Sequence, residues 1–136
     1  MHGIPLGERF VEGPRITVIR GKRRVNQGKG PPTPLELTHR VLRTGEASVE
    51  IAGELDMDTA DKAFRYVQKI INRHRGPIVV SVAGVTFCDA RGLHALVRMA
   101  NHADQVGCSF RVTSPPPRLT KLLRMTGLDG KFLVTG

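Results

Sequence analysis

The amino-acid sequence predicts a single α/β domain in which helices pack on a mixed, mostly parallel β-sheet. Segments whose apolar residues recur at every second position alternate with segments in which they recur every three or four. The nearly unbroken apolar run at residues 78–88 is typical of a central strand covered on both faces. The predicted element order is β-β-α-β-α-β-α-β, with right-handed crossovers between parallel strands. A length of 136 residues suits one core of this kind.

The first two strands are predicted at residues 37–43 and 47–55, joined at the turn signal Thr44-Gly45. In the second strand, Val49 and Ile51 share one face, so that face should be buried.

The first helix is predicted within residues 56–75 because its apolar residues have the spacing i, i+4, i+7, i+11. We expect Asp58 or Thr59 to cap its start, and Gly76-Pro77 to end it. The residues of the apolar stripe are Ala60, Phe64, Val67 and Ile71, widened by Ala63 and Ile70.

After the central strand come a helix over 90–105, a strand over 108–114, a helix over 116–127 and a short strand over 131–136. The prolines at the start of the third helix are tolerated there because the first-turn N–H groups have no helical acceptor. The residues that the second helix should bury are Leu93, Leu96, Val97, Ala100 and Ala103.

The N-terminal residues 1–33 are predicted to form a flexible basic arm, with the domain at 34–136. The first 34 residues carry seven of the 21 basic residues but only two of the 12 acidic ones. Residues 21–34 consist mainly of glycine, proline and charged residues and have few apolar side chains to bury. The segment 15–21 could form a strand, but an isolated one. Such an arm could attract nucleic acid, yet it lacks the interleaved aromatic residues that stack on bases.

The corner between the central strand and the second helix is the first candidate site. Asp89 is suited to cap that helix by accepting a hydrogen bond from a first-turn amide, and Gly92 permits close approach of another backbone. A nucleophilic Cys88 activated by His94 is disfavoured, because the helical histidine should face solvent. A metal site is not expected either, since His94 and His102 have no third ligand at a suitable spacing.

A basic ridge is predicted on the exposed face of the second helix, opposite its leucines. It is a solvated surface or a contact for an acidic partner. Its members, at i, i+3, i+7 and i+11, are Arg91, His94, Arg98 and His102. A second loop, residues 53–60, carries Asp56. Since loops that leave the carboxyl ends of parallel strands share one edge, we expect Asp56 and Asp89 to be neighbours.

The two cysteines form no disulfide framework, and no segment has the apolar length of a signal peptide or a bilayer span. We therefore expect a soluble protein that is cytoplasmic if its source is bacterial. We expect no cofactor, and no acid–base or nucleophilic constellation indicates an enzyme.

Three motifs, "GELDMDTA", "GVTFCDARGL" and "LLRMTGLDGKF", occur in order at fitting distances. Together they resemble the STAS-domain anti-sigma factor antagonists of bacteria over residues 35–136. The resemblance implies a STAS domain without catalytic activity that works by partner switching in transcription regulation. Its expected partner is an anti-sigma factor, commonly a histidine-kinase-like ATPase that phosphorylates a serine. Membrane insertion and nucleic-acid binding are not expected.

In that family the phosphorylated serine follows the corner aspartate. By resemblance the aspartate is Asp89 and the glycine of the motif is Gly92, while Asp56 is the acid of the neighbouring loop. The acceptor position is Ala90, followed by Arg91 where a second serine is common. Alanine has no hydroxyl, so no phosphosite is expected. The predicted partner-binding residues are Asp56, Asp89, Ala90, Arg91, Gly92, His94 and Arg98.

The leading hypothesis is therefore a non-enzymatic binder of an anti-sigma factor that lacks the usual switch. A second hypothesis is a STAS scaffold or accessory subunit of another signalling or transport complex. A third, from another class, is a nucleic-acid binder that uses the basic arm; it would show salt-dependent DNA binding lost on removal of the arm.

Overall fold

The computed structural model describes residues 10–19 and 35–132. The chain forms a five-stranded mixed sheet with three helices. In chain order the elements are β1 (Phe10–Ile19), β2 (Leu35–Leu42), β3 (Ala47–Leu55), α1 (Ala60–His74), β4 (Ile78–Cys88), α2 (Ala90–Gln105), β5 (Phe110–Thr113) and α3 (Pro117–Met125).

The strands lie in the order β1-β2-β3-β4-β5. The pairs β1–β2 and β2–β3 are antiparallel, whereas β3–β4 and β4–β5 are parallel. Each parallel pair is connected through a helix, as a parallel crossover requires. The predicted α/β class, the mixed sheet and the alternation of strands with helices are confirmed.

The core lies between the sheet and the pair α1 and α2, which pack on each other. The predicted stripes are buried: every apolar position expected for α1 is buried, and so are Leu93, Leu96, Ala100 and Ala103 in α2. Val97 is only partly buried. Leu96 is fully inaccessible to solvent, so truncating it would leave a cavity beneath the first turns of α2.

The central strand β4 differs from expectation over its second half. Val80 and Val82 are buried, but Thr86 is exposed and Phe87 is 48% exposed. The prediction that both faces are covered is wrong there. The pairs between β4 and β5 stop at Ser81, so the strand continues beyond its neighbour.

The N-terminal strand also differs from expectation. Sequence pattern predicted it to be isolated, but β1 pairs along the whole of β2. This pairing is favourable because β2 would otherwise be an edge strand with a row of unpaired backbone groups. The domain boundary at residue 34 stays a prediction, and residues 20–34 lie outside the described residues. Of the predicted last strand, residues 133–136 also lie outside them.

One buried polar pair explains why β2 lacks a purely apolar face. His39 is 6% exposed among the inward-facing leucines, and its Nδ1 lies 2.6 Å from the hydroxyl oxygen of Tyr66 on α1. A buried imidazole needs such a partner to offset the cost of desolvation. The pair therefore links the sheet to α1.

Candidate partner-binding site

Two loops meet at the carboxyl ends of β3 and β4. The amide of Asp89 donates to the carbonyl oxygen of Leu55, the residue before Asp56, at 3.3 Å. A Cβ on Gly92 would overlap that same carbonyl oxygen and lie 2.8 Å from the carbonyl carbon. Only glycine fits this contact without displacement, so the predicted close approach and the predicted neighbourhood of the two loops are confirmed.

The loop between β3 and α1 is organised by Asp56, which is only 7% exposed. Its Oδ1 accepts hydrogen bonds from the amides of Asp58, at 2.9 Å, and Thr59, at 3.3 Å. The Thr59 hydroxyl accepts from the Asp56 amide and donates to the carbonyl of Glu54. Thr59 stands at the N-cap position, but its side chain makes no cap hydrogen bond. The Asp56 carboxylate instead holds the amides of Asp58 and Thr59, which precede the helix.

The Asp89 corner is built differently. Asp89 has an extended backbone and caps α2, its Oδ1 accepting from the Gly92 amide at 2.9 Å. Ala90 and Arg91 are the first two helical residues, and both are exposed. The predicted cap is confirmed. The first turn of α2 therefore presents a small methyl group and a guanidinium to solvent from a fixed backbone.

The basic ridge on α2 divides into two halves. Arg98 is held by α1: its Nη1 donates to Asp61 at 3.2 Å, and its guanidinium lies 4.0 Å from the centre of the Phe64 ring. His102 bonds Asn72 at 2.7 Å. Both contacts are exposed and the Arg98 side chain is 40% exposed, so the ridge faces solvent while its C-terminal half is also tied to α1. Arg91 and His94 remain exposed at the N-terminal end.

The thiol of Cys88 is poorly suited to nucleophilic chemistry. Burial, together with a smaller contribution from the neighbouring Asp89 charge, raises its pKa from 9.0 to about 12. The thiolate, which is the reactive form, is therefore strongly disfavoured at neutral pH. Within the described residues, no group of three His, Cys, Asp or Glu side chains is placed to hold a metal ion.

Two exposed apolar side chains border the corner and were missed by pattern reasoning. Met57, on the Asp56 loop, is 54% exposed, and Phe87, two residues before Asp89, is 48% exposed. Large exposed apolar groups beside a rigid corner are typical of a protein contact surface. Met57 lies between two acids in a loop, which gave a signal for exposure. Phe87 lies within an apolar run, which pointed to burial.

The fold and this corner define a class: a small α/β domain of the STAS type, with the Asp56 and Asp89 loops gathered at one sheet edge. A family model described as "Mlab, STAS domain" matches residues 39–135. The chain therefore belongs to the STAS-domain family. No curated protein matches the sequence.

Several solved structures share this fold. A candidate anti-sigma factor antagonist from Thermotoga maritima has a TM-score of 0.63 and 19% identity, with 72% of this chain and 84% of that one covered. An anti-sigma factor antagonist from Mycobacterium paratuberculosis has a TM-score of 0.58 and 20% identity, with coverage of 89% and 86%.

The same fold occurs in a protein from another functional setting. A sulfate transporter family protein from Wolinella succinogenes has a TM-score of 0.57 and 22% identity, with 67% of this chain and 76% of that one covered. At these identities the likeness establishes the fold. None of the helices in the described parts of the chain has the length and apolar character needed to cross a membrane.

Proposed function

We propose that this chain is a non-enzymatic cytoplasmic regulator that binds an anti-sigma factor through the Asp89 corner, without a phosphorylation switch at that corner. The observation that carries the proposal is the exposed Ala90 directly after the Asp89 cap. In the family that the sequence resembles, this position holds the phosphorylated serine.

The surface around the corner supports recognition by a protein. Arg91 and His94 are exposed on the first turns of α2, with Met57 and Phe87 exposed on the adjoining loop and strand. In a protein interface, apolar groups supply contact area, while a cation at the rim favours acidic partners and raises their rate of association. Asp56 supports this surface from below by fixing the loop, because its carboxylate is buried and already accepts backbone donors.

The absence of a hydroxyl at Ala90 has a direct consequence for control. Phosphorylation would place about 1.5 to 2 negative charges at the corner and disrupt a fitted contact. A methyl group cannot accept a phosphoryl group. The complex should therefore persist in the presence of ATP, and its control would rest on the amounts of the two proteins.

A second candidate is an accessory subunit of a transport or signalling complex. It is favoured by the family description as an Mlab-type STAS domain and by the transporter protein that shares the fold. The same corner would then contact a subunit of that complex. The two candidates differ in the class of partner and share the prediction of where it binds.

Affinity purification with the tagged full chain, followed by mass spectrometry, tests both. Recovery of an anti-sigma factor supports the first candidate, and recovery of transport-complex subunits supports the second. Arg91→Glu should abolish recovery, whereas Lys121→Glu, an equal charge change on the exposed face of α3, should not. Equal recovery by wild type and Arg91→Glu would exclude the corner as the binding site.

A further inference from the structure

A groove lies beside the second half of β4, where that strand continues beyond β5. The β4–β5 pairs end at Ser81 and Thr113. The chain then turns at Ser114, which has a φ of 56°, and three prolines lead into α3. The groove between Val85–Cys88 and the start of α3 has a volume of about 450 Å³.

This groove lies at the edge of the strand, not over one of its faces. Four consecutive residues of β4, from Val85 to Cys88, line it. The register of β4 against β3 shifts between Val85 and Phe87, so side chains do not alternate regularly here. The groove lies at the strand edge because the ladder to β5 ends at Ser81 and the other lining residues come from the start of α3. The opposite edge of this segment is already paired with β3.

The backbone at a strand edge restricts what can occupy the groove. Among the described residues, no backbone hydrogen bond outside the regular ladders joins the segment 82–88 to β5 or α3. Water can satisfy these N–H and C=O groups while the groove is open. An occupant that displaces the water must replace its hydrogen bonds, which a hydrocarbon chain cannot do and an extended peptide can.

The side chains around the groove indicate the composition of that peptide. Phe87, Leu119 and Leu122 supply apolar contact, and Arg118, which is exposed, adds a cation to the lining. The helix α3 has no acidic residue, so nothing on it would repel a carboxylate bound beside Arg118. The occupant should thus pair apolar residues with at least one carboxylate. Residues 20–34 of this chain, with five cations and no acid, do not fit.

We propose that the groove between β4 and α3 binds an extended, acidic peptide segment of a partner protein as an additional strand beside Val85–Cys88. Main-chain hydrogen bonds would provide affinity, and alternate side chains would enter the apolar groove. This site shares Phe87 with the Ala90 surface but is otherwise lined by different residues, and it does not depend on the identity of the partner bound at Ala90.

A phage-displayed library of random octapeptides, panned against the full chain, tests the proposal. Enriched sequences should combine β-branched or aromatic residues with Asp or Glu. For the best synthetic peptide, fluorescence anisotropy should show a loss of affinity of at least about tenfold in Arg118→Glu. Lys121→Glu makes the same change of net charge outside the groove and should cost less than about twofold. Arg91→Glu should leave binding unchanged.

The strand geometry has its own test. In an added strand, only every second residue directs its backbone N–H towards β4. N-methylation of that set of alternate peptide residues should abolish binding, and N-methylation of the other set should not. Three results would overturn the proposal: no enriched peptide, equal losses in Arg118→Glu and Lys121→Glu, or equal losses in both methylated registers. Arg118-dependent binding to vesicles of anionic phospholipid with no peptide enriched would overturn it in favour of a membrane surface.

Discussion

Two aspartates stand at the same edge of the sheet, each after a parallel strand and before a helix, yet their environments differ. Asp56 is buried, and its Oδ1 accepts from two backbone amides and lies 3.4 Å from the Thr59 hydroxyl. Asp89 is half-exposed and accepts from a single amide, that of Gly92. The first aspartate fixes a loop, and the second caps a helix whose opening residues face solvent.

The difference indicates that the two loops have separate roles: the Asp56 loop stabilises the fold, and the Asp89 corner is the proposed contact surface for a partner. The Asp56 side chain is buried and its Oδ1 is bonded within the loop, so it offers little surface to a partner. The Asp89 corner exposes Ala90 and Arg91 on a backbone that Gly92 anchors against Leu55. Changes at Asp56 and Gly92 should therefore reduce stability, whereas changes at Ala90 and Arg91 should alter binding and leave the fold intact.

The largest effect is expected for Gly92→Ala, which breaks the joint between the two loops. The added methyl overlaps the carbonyl of Leu55, and backbone on both sides leaves little room to adjust. We expect a loss of about 3 kcal/mol in the free energy of unfolding. Urea denaturation measures it, with Gly130→Ala as control, because a Cβ there meets nothing within 4 Å. Equal stabilities for the two variants would mean that the contact is loose.

Asp56→Ala should have the next largest effect. It leaves the amides of Asp58 and Thr59 without their carboxylate acceptor in a loop that is largely buried. The expected cost is about 2 kcal/mol by the same urea measurement. A loss below that of Asp89→Ala would contradict the assignment of Asp56 as the supporting residue.

Asp89→Ala should cost about 1 kcal/mol, the usual value for removing an N-cap. Asp104→Ala is a suitable control, because that aspartate is exposed near the opposite end of α2. Since only the Gly92 amide loses its acceptor, the variant should remain folded. A circular dichroism spectrum of an unfolded chain would show that Asp89 has a larger structural role than its one hydrogen bond indicates.

Cys88, next to the corner, should be slow to react with iodoacetamide. A pKa of about 12 against 9.0 lowers the thiolate fraction at pH 8 roughly a thousandfold. Because the folded-state pKa is raised, the protonated thiol favours the native state below pH 9, and this contribution is lost between pH 9 and 12. Labelling of native and denatured chain, with Cys88→Ser to assign the site, measures the effect. Fast native labelling at Cys88 would contradict the burial.

The fold was largely predictable because each element has a strong period and clear end signals. The apolar stripes of α1 and α2 and the Asp89 cap follow from local spacing. The pairing of β1 with β2, the burial of His39 and the binding of Arg98 to Asp61 could not be predicted in this way. Each depends on which distant segment lies alongside, and residue spacing carries no information about that.

The same reason limits the prediction of the site. The partner-binding set was assigned by resemblance to a motif, and that assignment stays a prediction. The structure distinguishes within the set: Ala90, Arg91 and His94 are exposed, whereas Asp56 and Gly92 are buried. Arg98→Glu is a poor test of binding, because it would place a carboxylate next to Asp61 and disturb the packing of α1 on α2.

The most direct test of the corner as a recognition surface without a switch is phosphorylation of Ala90→Ser. Wild type and variant are incubated with the captured ATP-hydrolysing partner and ATP, then examined by intact mass and by affinity for that partner. Wild type should gain no phosphate and keep its affinity, while Ala90→Ser should gain one phosphate and lose affinity. A phosphate on wild type that weakens the complex, at Thr86 or any other residue, would contradict the account.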